Sequence, residues 1–224
     1  MNNYQLFIAN KNYSSWSLRP WVLMRELGIP FEERVVPFGE DFEAFSPSGK
    51  VPCLVDGRIT VWDSLAITEY LGDRHAGVWP AEAESRAWAR CAAAEMHSGF
   101  FALRNECPMS CGTRVKVAMS AGLTRDLARL ERLWADGMSR FGGPFLTGPR
   151  FCAADAFFAP VAFRVQTYGL PFGEAAHRYA KTLLALPAMQ EWYAAGLAET
   201  WRDEAHDAEQ RATGTLIADL RASS

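Results

Sequence analysis

Strand signals fill the first third of this chain and vanish after Trp79-Pro80, and no other feature constrains the fold as much. Gln5–Ala9 (QLFIA) is a short apolar run that predicts a strand. Trp21–Leu27 (WVLMREL) predicts a helix stopped by Gly28 and Pro30. Glu33–Phe38 is a candidate second strand. Cys53–Asp56, then Gly57-Arg58, then Ile59–Trp62 reads as a β-hairpin, because a tight turn between strands usually requires a glycine. Ser64–Leu71 predicts another helix, with Leu65, Thr68 and Leu71 along one face. Beyond Pro80, Ala81–Glu106, Arg114–Phe141, Ala153–Tyr168 and Ala175–Leu186 carry helical spacing, punctuated by Gly142-Gly143-Pro144, Gly148-Pro149 and Gly169-Leu170-Pro171. A mixed α/β unit over 1–77 followed by an all-helical unit over 82–224 implies two packed domains with a linker near 74–82.

Composition sets the outer bounds. A chain of 224 residues, 49% hydrophobic and 22% charged, has ample apolar content for a packed core. Its formal net charge of -3 offers no basic excess for nucleic acid. The opening MNNYQLFIANKNY has no basic region leading into a long apolar stretch, so no signal peptide is expected. No run reaches the about 18 apolar residues of a membrane span. Cys53, Cys91, Cys107, Cys111 and Cys152 form no C-x-x-C pair, and so odd and sparse a set suits a reducing, cytoplasmic compartment. His75, His97, His177 and His206 lack metal-ligand spacing, so no metal is expected.

Three local features of the first unit carry chemistry. The first is Tyr13-Ser14-Ser15-Trp16-Ser17, between the first strand and the first helix. Proline is tolerated in the first turn of a helix, so Pro20 predicts a start near residues 16–19. Ser14, Ser15 and Ser17 then lie among unpaired N–H groups at a positive helix end, a ready site for an anion such as a thiolate. A hydroxyl donating to a thiolate lowers the thiol pKa from about 8.5, and a two-unit shift needs only about 3 kcal/mol. The same serines serve equally as ordinary N-caps. The second feature is Lys50-Val51-Pro52-Cys53. A Val-Pro bond just before a strand is a place for a cis peptide, which lets the preceding N–H and C=O face a ligand as an edge strand would, and Lys50 suits a carboxylate. An ordinary trans proline opening a strand is the plainer alternative. The third is Asp63-Ser64, either a capping pair or a holder of both charges of an α-amino acid end.

Together the three describe a site for an elongated zwitterionic thiol peptide, and with them the chain resembles the cytosolic glutathione transferases. Ser-Ser-x-Ser is similar to the S-S-C-S motif of the zeta class. S-P-S-G-K-V-P-C-L-V-D-G and W-D-S-L-A-I-T-E-Y-L match the family's Val-cis-Pro and acidic-Ser motifs, and Thr147–Asp155 resembles its capping box and hydrophobic staple. The resemblance spans nearly the whole chain. It implies a thioredoxin-like N-terminal domain followed by an all-helical C-terminal domain. It further implies that Ser14 donates to the glutathione sulfur with Ser15 next in line, and that Ser17 is one of the glutathione-binding residues. Val51, preceding Pro52, would pair by backbone with the cysteinyl unit. Lys50 would approach the glycyl carboxylate, Asp63 and Ser64 would hold the γ-glutamyl end, and Asp155 would be structural. Glutathione would be a cosubstrate, with no permanently bound cofactor, and the chain would form a homodimer.

Departures from the pattern are informative. Cys152 stands where the family has Ser or Thr as N-cap, which predicts a cap weaker by about 1 kcal/mol. Trp16 replaces the cysteine of the zeta motif, which argues against mixed-disulfide chemistry. The zeta class places a carboxylate-holding arginine late in its buried helix; here Thr167 stands in that register with Arg164 one turn earlier, which counts against maleylacetoacetate isomerisation. For the second substrate, a small electrophile, the resemblance points to a pocket between the domains. Candidate walls are Met96, Phe100 and Tyr168 for apolar surface and Arg104 for a carboxylate or developing negative charge. Core packing, or for Arg104 a surface salt bridge, is the competing reading. The expected activity is attack of the glutathione thiolate on an electrophilic carbon, with a glutathione-dependent isomerase or peroxidase, or a non-catalytic interaction protein, as alternatives.

Overall fold

Alternation along Tyr4–Ile8 buries Tyr4, Leu6 and Ile8 completely or nearly so, which marks this segment, β1, as an inner strand. The computed structural model, which describes residues 4–222, gives a four-stranded sheet in the order β2-β1-β3-β4. β2 (Phe31–Val35) runs parallel to β1 and is reached through the crossover helix α1 (Ser15–Glu26). β3 (Cys53–Asp56) and β4 (Ile59–Trp62) form the expected antiparallel hairpin, with Gly57 at φ +60° in its turn, and α2 (Ser64–Gly72) follows. β2 begins earlier than expected, at Phe31, and it ends earlier because Pro37 has no N–H to extend the ladder past the Val36 N–H bond to Ile8. α1 begins at Ser15, one residue before the expected range, leaving Pro20 in its second turn. The Ser14 side chain accepts from the Ser17 N–H and caps the helix upstream, so Pro20 forfeits only the bond that the Trp16 carbonyl would accept.

The second domain is helical: α3 (Ala83–Ser98), α4 (Phe101–Glu106), α5 (Ala121–Phe141), α6 (Ala153–Tyr168), α7 (Glu174–Leu184), α8 (Pro187–Ala198) and α9 (Glu204–Thr213). It also carries a two-stranded ribbon, β5 (Thr113–Val117) with β6 (Gly214–Asp219), where the sequence suggested only helix. Thr113 and Val115 face inward and Lys116 outward, a β alternation of branched residues that helical spacing from Arg114 overlooked. The expected helix over Ala81–Glu106 divides at Gly99-Phe100, where Phe100 adopts φ +58°.

α6 occupies the centre. Every residue in it except Gln166 is buried, and α1, α3 and α7 pack around it. Asp155 ties its start together, accepting from the N–H groups of Leu146 and Cys152, each at 3.0 Å, and from the Tyr179 hydroxyl at 2.9 Å. The Asp155 carboxylate thus secures the Cys152 N–H at a terminus that lacks the family's usual Ser or Thr cap.

Burial pushes the Asp155 carboxyl up to about 6, against the pull of its three donors. Between an unfolded value of about 3.9 and about 6, the native state holds a proton that the unfolded chain has released. Native stability therefore falls as pH rises through that window. Asp155→Asn has no proton to lose. The wild-type melting temperature should decline relative to this variant between about pH 4 and pH 6; a difference that stays flat would refute the assignment.

Candidate functional site

The loop between β1 and α1 belongs to the first domain in sequence but finds its partners in the second. The N–H groups of Lys11 and Asn12 donate to the Glu199 carboxylate at 2.6 and 3.2 Å. The Lys11 carbonyl accepts from Trp192 Nε1 at 2.8 Å, and Asn12 accepts from the N–H groups of Cys111 and Gly112 at 3.1 and 2.9 Å. Asn10 holds the other side: its Oδ1 accepts from the Phe38 N–H and its carbonyl from Tyr13 and Ser14. Lys11 pairs with Glu33 at 2.7 Å and lies over the rings of Trp21 and Trp192.

This fastening fixes the three serines in different roles. Ser14 is the N-cap of α1, and its hydroxyl donates to Ser17 Oγ at 2.7 Å. Ser17 is fully buried and also accepts from the Ala9 N–H, so it ties the helix start back to the end of β1. Ser15, at the first helical position, has a hydroxyl with no hydrogen-bond partner among the described residues, and the Trp16 N–H beside it is likewise unpaired. Ser14, Ser15 and Trp16 line a cleft of about 420 Å³ at the seam of the two domains; Ser17 does not.

Lys50 and Val51 line the same cleft. The Val51-Pro52 bond is cis, as the family resemblance implied, and neither the N–H nor the C=O of Val51 has a backbone partner. Pro52 is buried behind it. Asp63 and Ser64 stand outside this cavity. Asp63 takes φ +75°, uncommon for a residue with a side chain, while its carboxylate caps α2 through the Leu65 N–H at 2.8 Å. Ser64 is buried and accepts from Arg19 Nη1 at 3.3 Å. Arg19 in turn lies over the Trp16 ring at 4.1 Å, and His97 meets Trp16 edge-on while standing 3.6 Å from Asp63, so both connect the pair to the cleft.

The expected second-substrate wall is corrected in three of its four members. Met96 is fully buried in the core, Phe100 is 6% exposed beneath the break between α3 and α4, and Tyr168 donates to the Pro108 carbonyl from a buried position. None of them lines the cleft; their apolar surface is spent on packing. Arg104 does line it, and its guanidinium donates to the carbonyls of Met96, His97 and Gly99 rather than to a surface acid. Thr167 is buried and donates to the Ser110 carbonyl, while Arg164 reaches the cleft. Phe38 and Phe42 of the first domain and His206 and Glu209 on α9 also line the cleft.

Residues 13–74 match the family model for the glutathione S-transferase N-terminal domain, and residues 118–195 match that for the C-terminal domain. The chain belongs to the glutathione S-transferase family. Its two halves are accordingly a thioredoxin-like domain and a helical C-terminal domain. It is 42% identical over 65 residues to a dichloromethane dehalogenase of Methylorubrum extorquens, a stretch that spans 25% of this chain and 23% of that protein. A stringent starvation protein A homolog of Pasteurella multocida is 22% identical over 169 residues, 73% of this chain and 76% of that one. Among solved structures, a glutathione transferase homolog from Burkholderia with bound glutathione aligns with a TM-score of 0.65 at 25% identity, covering 87% of this chain and 97% of that one. A maleylacetoacetate isomerase of Anaeromyxobacter dehalogenans shares the fold, with a TM-score of 0.62 at 23% identity over 86% and 91% of the two chains.

In this glutathione S-transferase family member, Phe38, Phe42, His206 and Glu209 escaped sequence reasoning. The legible signal for α9 was Asp203, whose side chain accepts from the His206 N–H at 2.9 Å as an N-cap. Phe38 and Phe42 lie in a loop with no periodicity to read. The hydrogen bonds of the serines predict separable effects on stability. Ser14→Ala removes a cap and should cost about 1 kcal/mol in denaturant unfolding, whereas Ser15→Ala removes no protein contact and should change stability by less than about 0.5 kcal/mol. Equal losses would contradict these roles.

Proposed function

We propose that this family member is a serine-type glutathione transferase that activates the glutathione thiol for attack on a small electrophile. The observation that carries the reading is the helix start in the cleft: the uncommitted hydroxyl of Ser15 and the unpaired N–H of Trp16, facing a cavity that also holds the unpaired backbone of Val51. A thiolate there gains a hydroxyl donor, an amide donor and a positive helix end, each of which favours the ionised form. Ser14 lies beside it, but its proton is already given to Ser17, so the hydrogen bonds favour Ser15 as the direct donor, with Ser14 holding the turn.

In this reading, Val51 pairs with the cysteinyl amide of glutathione and Lys50 meets the glycyl carboxylate. The γ-glutamyl end extends toward Asp63 and the first-turn N–H of Ser64. The sulfur forms a bond to an electrophilic carbon and the leaving group departs with its electron pair. The chain supplies orientation and thiol acidity and forms no covalent bond to substrate. The bound glutathione in the Burkholderia structure and the matches to both family domains support this reading. It includes a homodimeric, cytoplasmic enzyme of detoxification type. No helix among the described residues is long and apolar enough to cross a membrane.

Calorimetry with millimolar reduced glutathione should give a clear heat of binding; none would end the transferase reading. Thiolate absorbance of the complex should titrate about two units below the about 8.5 of a free thiol. Ser15→Ala should return the midpoint most of the way and lower turnover of an aryl chloride about a hundredfold, as loss of one preorganised donor does. A larger shift in Ser14→Ala than in Ser15→Ala would reassign the donor. Running cumene hydroperoxide and a cis-dienoic acid beside the aryl chloride separates conjugation from peroxidase and isomerase activity.

A further inference from the structure

Arg19, in the second turn of α1, is a cation sealed inside the protein. It is 1% exposed and forms no ion pair among the described residues. Its guanidinium lies over two aromatic rings, Trp16 at 4.1 Å and Phe157 at 5.0 Å. Rings attract a cation without neutralising it. Among the described residues the guanidinium makes one hydrogen bond, from Nη1 to Ser64 Oγ at 3.3 Å, and its Nε is buried without a partner. An unpaired buried charge is among the most costly groups to keep in a fold. Desolvation, and then the charges of Arg104 and Arg164, hold its pKa well below the ordinary arginine value, while Asp63 pulls the other way from beyond ion-pair distance.

This cation decides how Ser64 works. A guanidinium can only donate, so the Ser64 oxygen accepts from it and the hydroxyl proton is turned toward some other acceptor. The described residues supply none, and the N–H of Ser64, at the first position of α2, has no backbone partner either. Ser64 therefore offers two donors at one helix start, with a buried positive charge behind them, a set that suits a carboxylate. Asp63 beside it has the opposite character. Its Oδ1 accepts from the Leu65 N–H and its Oδ2 stands 3.6 Å from His97 Nε2.

Resting on the transferase reading above, we propose that Arg19 is a positioning residue for the γ-glutamyl end of glutathione, holding the Ser64 hydroxyl as a donor to the α-carboxylate and supplying the positive charge behind it. Arg19 acts through Ser64 and does not take its place as the contact. The carboxylate of the ligand is then the anion that the fold withholds from this arginine. A thiol peptide without that carboxylate forfeits both the hydroxyl donor and the charge. A merely structural tie between α1 and α2 would instead loosen the whole site when cut and weaken every thiol peptide alike.

Calorimetry of the full chain with three thiol peptides separates these roles. They are glutathione, 4-aminobutyryl-cysteinylglycine, which lacks the α-carboxylate alone, and glutaryl-cysteinylglycine, which lacks the α-ammonium alone. The wild type should bind glutathione at least about tenfold more tightly than the aminobutyryl peptide, the scale of a hydrogen bond to a charged group. Arg19→Gln should cut that ratio about fivefold or more, and Arg19→Lys, which keeps the charge, should retain part of it. The ratio of glutathione to the glutaryl peptide should change by less than about twofold in both variants. A wild-type ratio below about tenfold, a ratio unchanged in Arg19→Gln, or a loss in that variant that falls equally on all three peptides overturns the proposal. Ser64→Ala takes away the hydroxyl that Arg19 orients and should also cut the carboxylate ratio; a ratio that it leaves unchanged overturns the proposal even where Arg19→Gln fails to fold. Glutathione heat without a preference for the carboxylate removes this proposal alone, whereas absence of glutathione heat removes the transferase reading as well.

Discussion

The Glu199 carboxylate, accepting from the N–H groups of Lys11 and Asn12, is the contact on which the cleft depends. Buried backbone donors must be paired, and a loop that turns from a strand into a helix has no ladder to pair them. The first domain does not complete this loop by itself. Glu199 lies just beyond α8, Trp192 lies within α8, and Cys111-Gly112 lead into the ribbon, so the second domain closes the hydrogen bonds of the segment that presents Ser14 and Ser15. Positioning of the serines and docking of the domains are therefore one event.

That arrangement divides the work of the cleft. The first domain contributes mostly backbone and hydroxyl groups: the amide of Trp16, the main chain of Val51 and the side chain of Ser15. These are positions fixed by fold geometry. The helical domain contributes long charged side chains, Arg104 and Arg164, aimed by carbonyls at helix ends and turns.

The sequence revealed most where local chemistry alone decides structure. The hairpin around Gly57 and the limits of α6 were readable because turn glycine and capping residues act over a few positions, whereas the cis bond before Pro52 was implied by the family motif and not by X-Pro chemistry alone. The β5–β6 ribbon was not, because its strands lie about a hundred residues apart and each is short. The cleft wall was misread for a related reason. Met96, Phe100 and Tyr168 have the spacing of a helix face, but spacing does not say which neighbour the face meets, and here it meets core. The break at Gly99-Phe100 ends α3 and starts the short helix that carries Arg104 to the cleft, and the left-handed residue there is Phe100 rather than the glycine beside it.

The serine pair shows how hydrogen-bond counting sharpens a motif. A residue that caps a helix must keep an oxygen lone pair on a first-turn N–H, and Ser14 does so toward Ser17. Its proton also goes to Ser17, whose oxygen is in turn shared with the Ala9 N–H. This chain of donors locks the turn, and a ligand that took the Ser14 proton would have to break it. Ser15 carries no such obligation. Its N–H is used by the Tyr13 carbonyl, so its backbone is held while its hydroxyl remains unspent at the cleft. Of the two adjacent hydroxyls, one anchors the helix and the other is left without a protein partner.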